Sequence, residues 1–102
     1  MFDNLRPWIN VPISIKPFVK RTGTGDKEFG EMYPDKCYPE SQIVVVKDST
    51  GSDVTSNTHL YMDGTSSVKA LDVILFEGRE WPVHTVSTFY RNGVADIKVV
   101  YI

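Results

Sequence analysis

Residues 71–101 read LDVILFEGREWPVHTVSTFYRNGVADIKVVY, and this stretch decides the fold. A short apolar run, 71–76, stops at Glu77-Gly78, a pair suited to a two-residue hairpin. A second run, 81–90, stops at Asn92-Gly93. A type I′ turn needs φ > 0 at both central residues, which Asn and Gly tolerate, so this is the strongest short-range hairpin signal in the chain. Beyond it Ala95, Ile97, Val99 and Tyr101 alternate with Asp96, Lys98 and Val100, the period of a half-buried strand. The last third is therefore expected to be a three-stranded antiparallel meander.

The two hairpins disagree in phase. Turning at Glu77-Gly78 puts Trp81 and Val83 on the face of Ile74 and Phe76. Turning at Asn92-Gly93 puts Val86 and Thr88 on the face of Ile97 and Val99. Val83 and Val86 differ by three, so one flat strand cannot present both to a single core. One extra residue near 82–85, a β-bulge, reconciles them and bends the meander as a small barrel requires. On this reading Trp81, Val83, Val86, Ile97 and Val99 share one core.

Working outward, the 102 residues suit one domain, which buries roughly two-thirds of the surface its unfolded chain exposes. β-Branched and aromatic residues are frequent and Gly and Pro punctuate the apolar runs, so the expected class is all-β. A single cysteine, Cys37, excludes an intrachain disulfide and fits a reducing compartment. No window has the apolar length of a membrane span, and the first residues lack a signal-peptide pattern, so no membrane partner is expected. A formal charge of −2 argues against a dedicated nucleic-acid binder, which needs a basic surface.

Residues 1–10, with Phe2, Leu5 and Trp8, read as an N-terminal arm, packed over one end of the domain or docked on a neighbouring subunit. Residues 11–102 read as the single β-barrel domain. Val11, Ile13, Ile15 and Val19 alternate with polar residues, but Pro12 and Pro17 cannot donate to a ladder, so this strand is expected at an edge or interrupted. Residues 21–40 carry no sustained period and are expected to form a long projecting loop. From 22 to 40 five acidic residues face two lysines, a net of −3. The loop has no helix start to make a phosphate cradle of Gly23-Thr24-Gly25, and its carboxylates lack calcium-loop spacing. The β-branched run 43–46 is expected to be covered on both faces. Residues 48–53 turn the chain, 57–62 return as a strand, Asp63-Gly64 ends it, and 66–71 suit one helical turn capped by Ser66 or Ser67.

Catalytic and metal patterns are not found. His59 and His84 lie far apart without partners at ligand spacing. Lys36 beside Cys37 would lower its pKa, yet no His–Asn pattern accompanies it. The expectation is a protein that is not an enzyme and uses no cofactor or metal.

Cys37, the 43–46 run, a Gly-centred turn, the Leu60-Tyr61 strand, Asp72-Val-Ile-Leu-Phe-Glu-Gly78 and Trp81-x-Val83-x-x-Val86 recur in an order that resembles the head-closure, or head-to-tail stopper, proteins of tailed bacteriophages. The resemblance spans roughly residues 11–102. It implies a homo-oligomeric ring of small β-barrels in the virion neck, assembled in the host cytoplasm, between portal and adaptor proteins on the head side and a tail terminator or tail tube protein on the tail side. It also implies that the loop after the first strand enters the central channel and retains viral double-stranded DNA without sequence-specific binding. The stopper residues would then be Thr22, Gly23, Gly25, Lys27, Phe29, Met32, Tyr33 and Asp35, with Phe2, Trp8 and Tyr38 as intersubunit contacts. The negative loop suits steric retention better than DNA gripping. The alternatives are another head–tail ring protein, such as a tail terminator or adaptor, and an OB-like binding module, which wants a basic groove with stacking aromatics.

Overall fold

The described residues build nine antiparallel strands. The structure, a computed structural model, describes residues 6–102 apart from Thr22, Thr24, Asp26 and Ser49. After a single 3-10 turn, Arg6–Trp8, come β1 (Val11–Lys16), β2 (Phe18–Arg21), β3 (Lys27–Phe29), β4 (Tyr33–Lys47), β5 (Asp53–Asp63), β6 (Val73–Phe76), β7 (Arg79–Pro82), β8 (Thr85–Arg91) and β9 (Val94–Tyr101). Seven strands follow the order β7-β6-β1-β4-β5-β9-β8, and β2 with β3 forms a separate two-stranded sheet.

Both expected hairpins are present. Phe76 opposes Arg79 across Glu77 (φ 55°) and Gly78 (φ 73°), and Arg91 opposes Val94 across Asn92 (φ 52°) and Gly93 (φ 78°). These paired positive φ values are the type I′ pattern, whose twist matches that of the strands. The meander between them is not formed. The run 81–90 divides at Val83-His84 into β7 and β8, which occupy opposite ends of the strand order. Val83 N–H donates to Asp72 O at 2.9 Å, whereas His84 N–H donates to Tyr101 O at 2.9 Å. Adjacent residues therefore belong to different hairpins.

The bulge expected near 82–85 lies elsewhere. The β8–β9 register shifts between Phe89 and Tyr90, where Ala95 and Asp96 together face β8. This extra residue on β9 reverses the parity of everything beyond it, so Val86 meets Val100 rather than Val99. Val100 joins the main core with Ile13, Ile15, Cys37, Leu60, Met62, Val68, Ile74, Phe76, Val83 and Ile102, and Trp81 and Val86 pack against it. Ile97 and Val99 are buried but alternate onto the other face of β9, so the single shared core expected for them is corrected.

β4 joins two halves of the fold. Residues 33–37 pair with β1, and 38–47 pair with β5. Its two prolines, Pro34 opposite Ser14 and Pro39 opposite Leu60, sit where only one side of the strand is laddered, which tolerates a missing N–H. The core lies between β1 and β6 from one half and β5 and β9 from the other.

Four local expectations are corrected. The proposed loop 21–40 contains β3 and the first eight residues of β4; Tyr33, Asp35 and Cys37 alternate toward β1, a period-2 signal obscured by the prolines and charges between them. β1 is interrupted at Pro17 as expected, but it is not an edge strand, having β4 and β6 on either side, and Val19 is exposed rather than aligned with Ile13 and Ile15. Residues 66–71 form no helical turn; Val68 is buried there, and Leu71 adopts φ 77° before β6. Finally, the 43–46 run is not covered on both faces: Ile43 is 76% and Val45 68% exposed.

That last difference has a register cause. Between Ser41 and Val44 the β4–β5 pairing gains one residue on β4, so Gln42 and Ile43 together face Asn57. Upstream, odd-numbered residues such as Cys37 face the core. Beyond the bulge Val44 and Val46 take that face, and Ile43 and Val45 turn outward with Thr55. The end of this ribbon is held by Asp48, whose Oδ1 accepts from Thr50 N at 2.9 Å, Thr50 Oγ1 at 2.7 Å and Ser52 N at 3.0 Å. These bonds, the Thr50 hydroxyl first, hold its carboxyl below the usual aspartate range.

Candidate functional site

The β2–β3 hairpin carries four of the expected stopper residues, Gly23, Gly25, Lys27 and Phe29, and a buried carboxylate ties it to the body. Asp72 is fully buried. Its Oδ1 accepts from Phe18 N at 2.8 Å and from Lys69 Nζ at 2.8 Å, and its Oδ2 accepts from Lys69 N at 3.0 Å. A buried carboxylate is tolerated only when paired and hydrogen-bonded, and these three bonds meet that requirement. The bond from Phe18 N fixes the first residue of β2 against the entry to β6, and the two from Lys69 hold the carboxylate in place. Reading the sequence left this role unassigned. A lone Asp immediately before an apolar strand was the available signal.

Aromatic packing completes the base. Phe18 meets Phe29 edge-to-face at 6.2 Å, and Lys16 Nζ stands 5.2 Å from the Phe29 ring centre. Gly30 N donates to Pro17 O at 2.7 Å, closing the hairpin onto the break in the first strand. Higher up, Lys20 and Glu28 are 3.8 Å apart at the surface, and the register shifts between Phe18 and Lys20. Gly23, Gly25 and Lys27 are exposed toward the tip, where Gly25 takes φ 88°.

The expected stopper set is thus divided among three places. Gly23, Gly25 and Lys27 lie at the hairpin tip and Phe29 at its base, while Thr22 lies outside the described residues. Met32 is exposed in the connection to β4. Tyr33 and Asp35 belong to the body: Tyr33 packs against the core opposite Ile15, and Asp35 Oδ2 accepts from Ser66 Oγ at 2.7 Å. Burial first, then the charges of Asp72 and Asp35, pushes the Tyr33 hydroxyl above its usual pKa. Phe29, Tyr33 and Tyr38 each pack against residues of this chain.

Of the expected intersubunit residues, Phe2 lies outside the described part of the chain. Trp8 ends the 3-10 turn and is 62% exposed. Tyr38 is half-buried against Tyr61, with ring centres 5.9 Å apart, on the outer face of β4 and β5. His59 and Tyr101 continue that face edge-to-face at 4.5 Å. Burial and the charge of Glu40 raise the Tyr61 pKa. Nearby, an open groove of about 570 Å³ runs along Ile9, Pro12, Pro34, Lys36 and Thr65.

Cys37 lies fully buried rather than at a surface site. Burial and then Asp35 push the Cys37 thiol up to about 12, reversing the lowering expected from Lys36, whose side chain points to the opposite side of the strand. The described residues hold no group of three or more His, Cys, Asp or Glu positioned to share a metal. No protein-family model matches the chain, and no curated protein matches it either.

Proposed function

We propose that this protein is a structural neck component of a tailed bacteriophage: a head-closure ring subunit whose β2–β3 hairpin enters the channel and retains packaged DNA. The observation that carries this reading is a hairpin separate from the main sheet and moored to it by the buried Asp72. A stopper must hold a projecting element against pressure from one side, and the bond from Phe18 N to the buried carboxylate, which Lys69 holds in place with two more, provides a fixed attachment point at the hairpin base. The resemblance of 72–86 to the stopper cadence supports the same reading, since that cadence begins at Asp72 itself.

In this account each subunit is a small barrel that closes where β7 passes into β8 at Val83-His84. Copies form a homo-oligomeric ring, with portal or adaptor proteins on the head side and terminator or tube proteins on the tail side. The DNA passes without sequence readout. Lys20, Lys27 and Glu28 expose both charge signs on the hairpin, so retention is steric. The role is structural rather than catalytic.

The test removes the upper hairpin, residues 20–28, and joins Val19 to Phe29 by a short Gly-Ser linker that keeps the base at Phe18 and Phe29. Tyr33 and Asp35 are left in place because they belong to β4. The altered chain is expected to fold, as read by circular dichroism, and to assemble. Heads carrying it should lose DNA before tail attachment, counted as a rise in empty particles. Filled, stable heads would remove the stopper role and leave a plain connector ring.

A further inference from the structure

From residue 38 onward β4 is laddered on one side only. β1 leaves it after Cys37, and β5 alone accompanies 38–47. Among the described residues no strand pairs with the other side, so a row of backbone N–H and C=O groups lies open there. Such an edge is a template for another strand, and proteins usually guard it with a charge, a proline or a bulge. Residues 41–46, SQIVVV, contain neither charge nor proline, and beyond the one bulge at Gln42-Ile43 the ladder from Val44 to Lys47 is regular. The same segment carries the most exposed apolar side chain of the described residues, Ile43, and places Val45 beside it on one face. An open ladder demands an extended partner, and the exposed β-branched pair demands an apolar one.

We infer that the partner is a second copy of this chain, adding its own β4 antiparallel to this one about Val44. The segment is self-complementary in that arrangement. Ile43 of one copy comes opposite Val45 of the other, and the symmetric contact repeats it, so all four exposed side chains are covered. Glu40 and Lys47 bracket the neutral run and lie on the same face as Ile43 and Val45, the face on which β5 presents Thr55 and His59. With the bulge at Gln42-Ile43 counted as one position, antiparallel pairing brings Lys47 of each copy, which already pairs with Asp53 of its own chain, alongside Glu40 of the other at both ends. The contact is isologous and joins two copies through one two-fold axis. It does not rest on the ring reading, because a ring repeats a different, head-to-tail contact.

Sedimentation velocity of the intact chain over a range of concentrations should show a reversible monomer–dimer equilibrium. Val45→Lys, at a solvent-facing position, should raise the dissociation constant by about tenfold or more while leaving the circular dichroism spectrum unchanged. A second measurement fixes the register. Chains carrying Ile43→Cys are mixed with chains carrying Val45→Cys under mild oxidation, with the native Cys37 buried in both. A disulfide-linked dimer should form in the mixture and in neither variant alone. A chain that stays monomeric at all concentrations overturns the inference, as does a dimer that survives Val45→Lys or cross-links that form equally in each variant alone.

Discussion

The two halves of β4 invert the usual relation between composition and burial. Residues 33–37, Tyr-Pro-Asp-Lys-Cys, are polar and carry a proline, yet Cys37 is fully buried and Tyr33 packs on the core. Residues 43–46, Ile-Val-Val-Val, are wholly apolar, yet Ile43 and Val45 face solvent. The first half lies beside β1 with the core across from it. The second extends past the end of β9, whose last partner on β5 is His59, so only β5 accompanies it. Each half is laddered on one side only, so what packs across the face of the strand decides burial here, and the hydrophobicity of the strand does not.

Mutations should separate the halves in a definite order. Truncating Leu60 to Ala, opposite Pro39 where β4 changes partners, empties the centre of the core and should cost about 2–5 kcal/mol in urea unfolding. Gly64→Ala comes next. An added Cβ would stand 2.3 Å from Ala95 O, and backbone on β9 must move to admit it, at about 1–3 kcal/mol. Asp35→Ala removes the acceptor of the Ser66 hydroxyl and should cost about 1 kcal/mol. Val45→Ala should change the stability of the monomer by no more than about 0.5 kcal/mol. A Val45→Ala cost matching that of Leu60→Ala would abolish the contrast between the halves.

What the sequence made legible was local chemistry. Glu77-Gly78 and Asn92-Gly93 each specify a turn within four residues, so both hairpins could be placed in advance. The break at Val83-His84 depends on which distant backbone each residue bonds, Asp72 for one and Tyr101 for the other, and no local pattern records that choice. The phase conflict between Val83 and Val86 did signal an irregularity, but an extra residue on β9 settles the parity of Val86 as well as one on the strand that carries it. Asp35 and Lys36 made the first half of β4 look like a loop, because their alternation with Tyr33 and Cys37 is visible only once β1 is known to lie alongside. A loop was expected over 21–40, whereas a hairpin spans 18–29 and residues 33–40 are strand; the mooring at Asp72 was missed because burial of one carboxylate is a tertiary fact.

The contrast within β4 is tested most directly by thiol reactivity in a single variant, Val45→Cys, kept dilute enough that copies do not pair. The native thiol titrates near 12 when folded against 9.0 for an unperturbed thiol. Its raised pKa contributes stability below about pH 9 that is lost as pH rises toward 12, so labelling at pH 8 leaves the fold intact. One thiol, at position 45, should react with Ellman's reagent at the rate of an exposed cysteine, and Cys37 should react only after denaturant is added. Two thiols reacting at similar rates in the native protein would contradict the account.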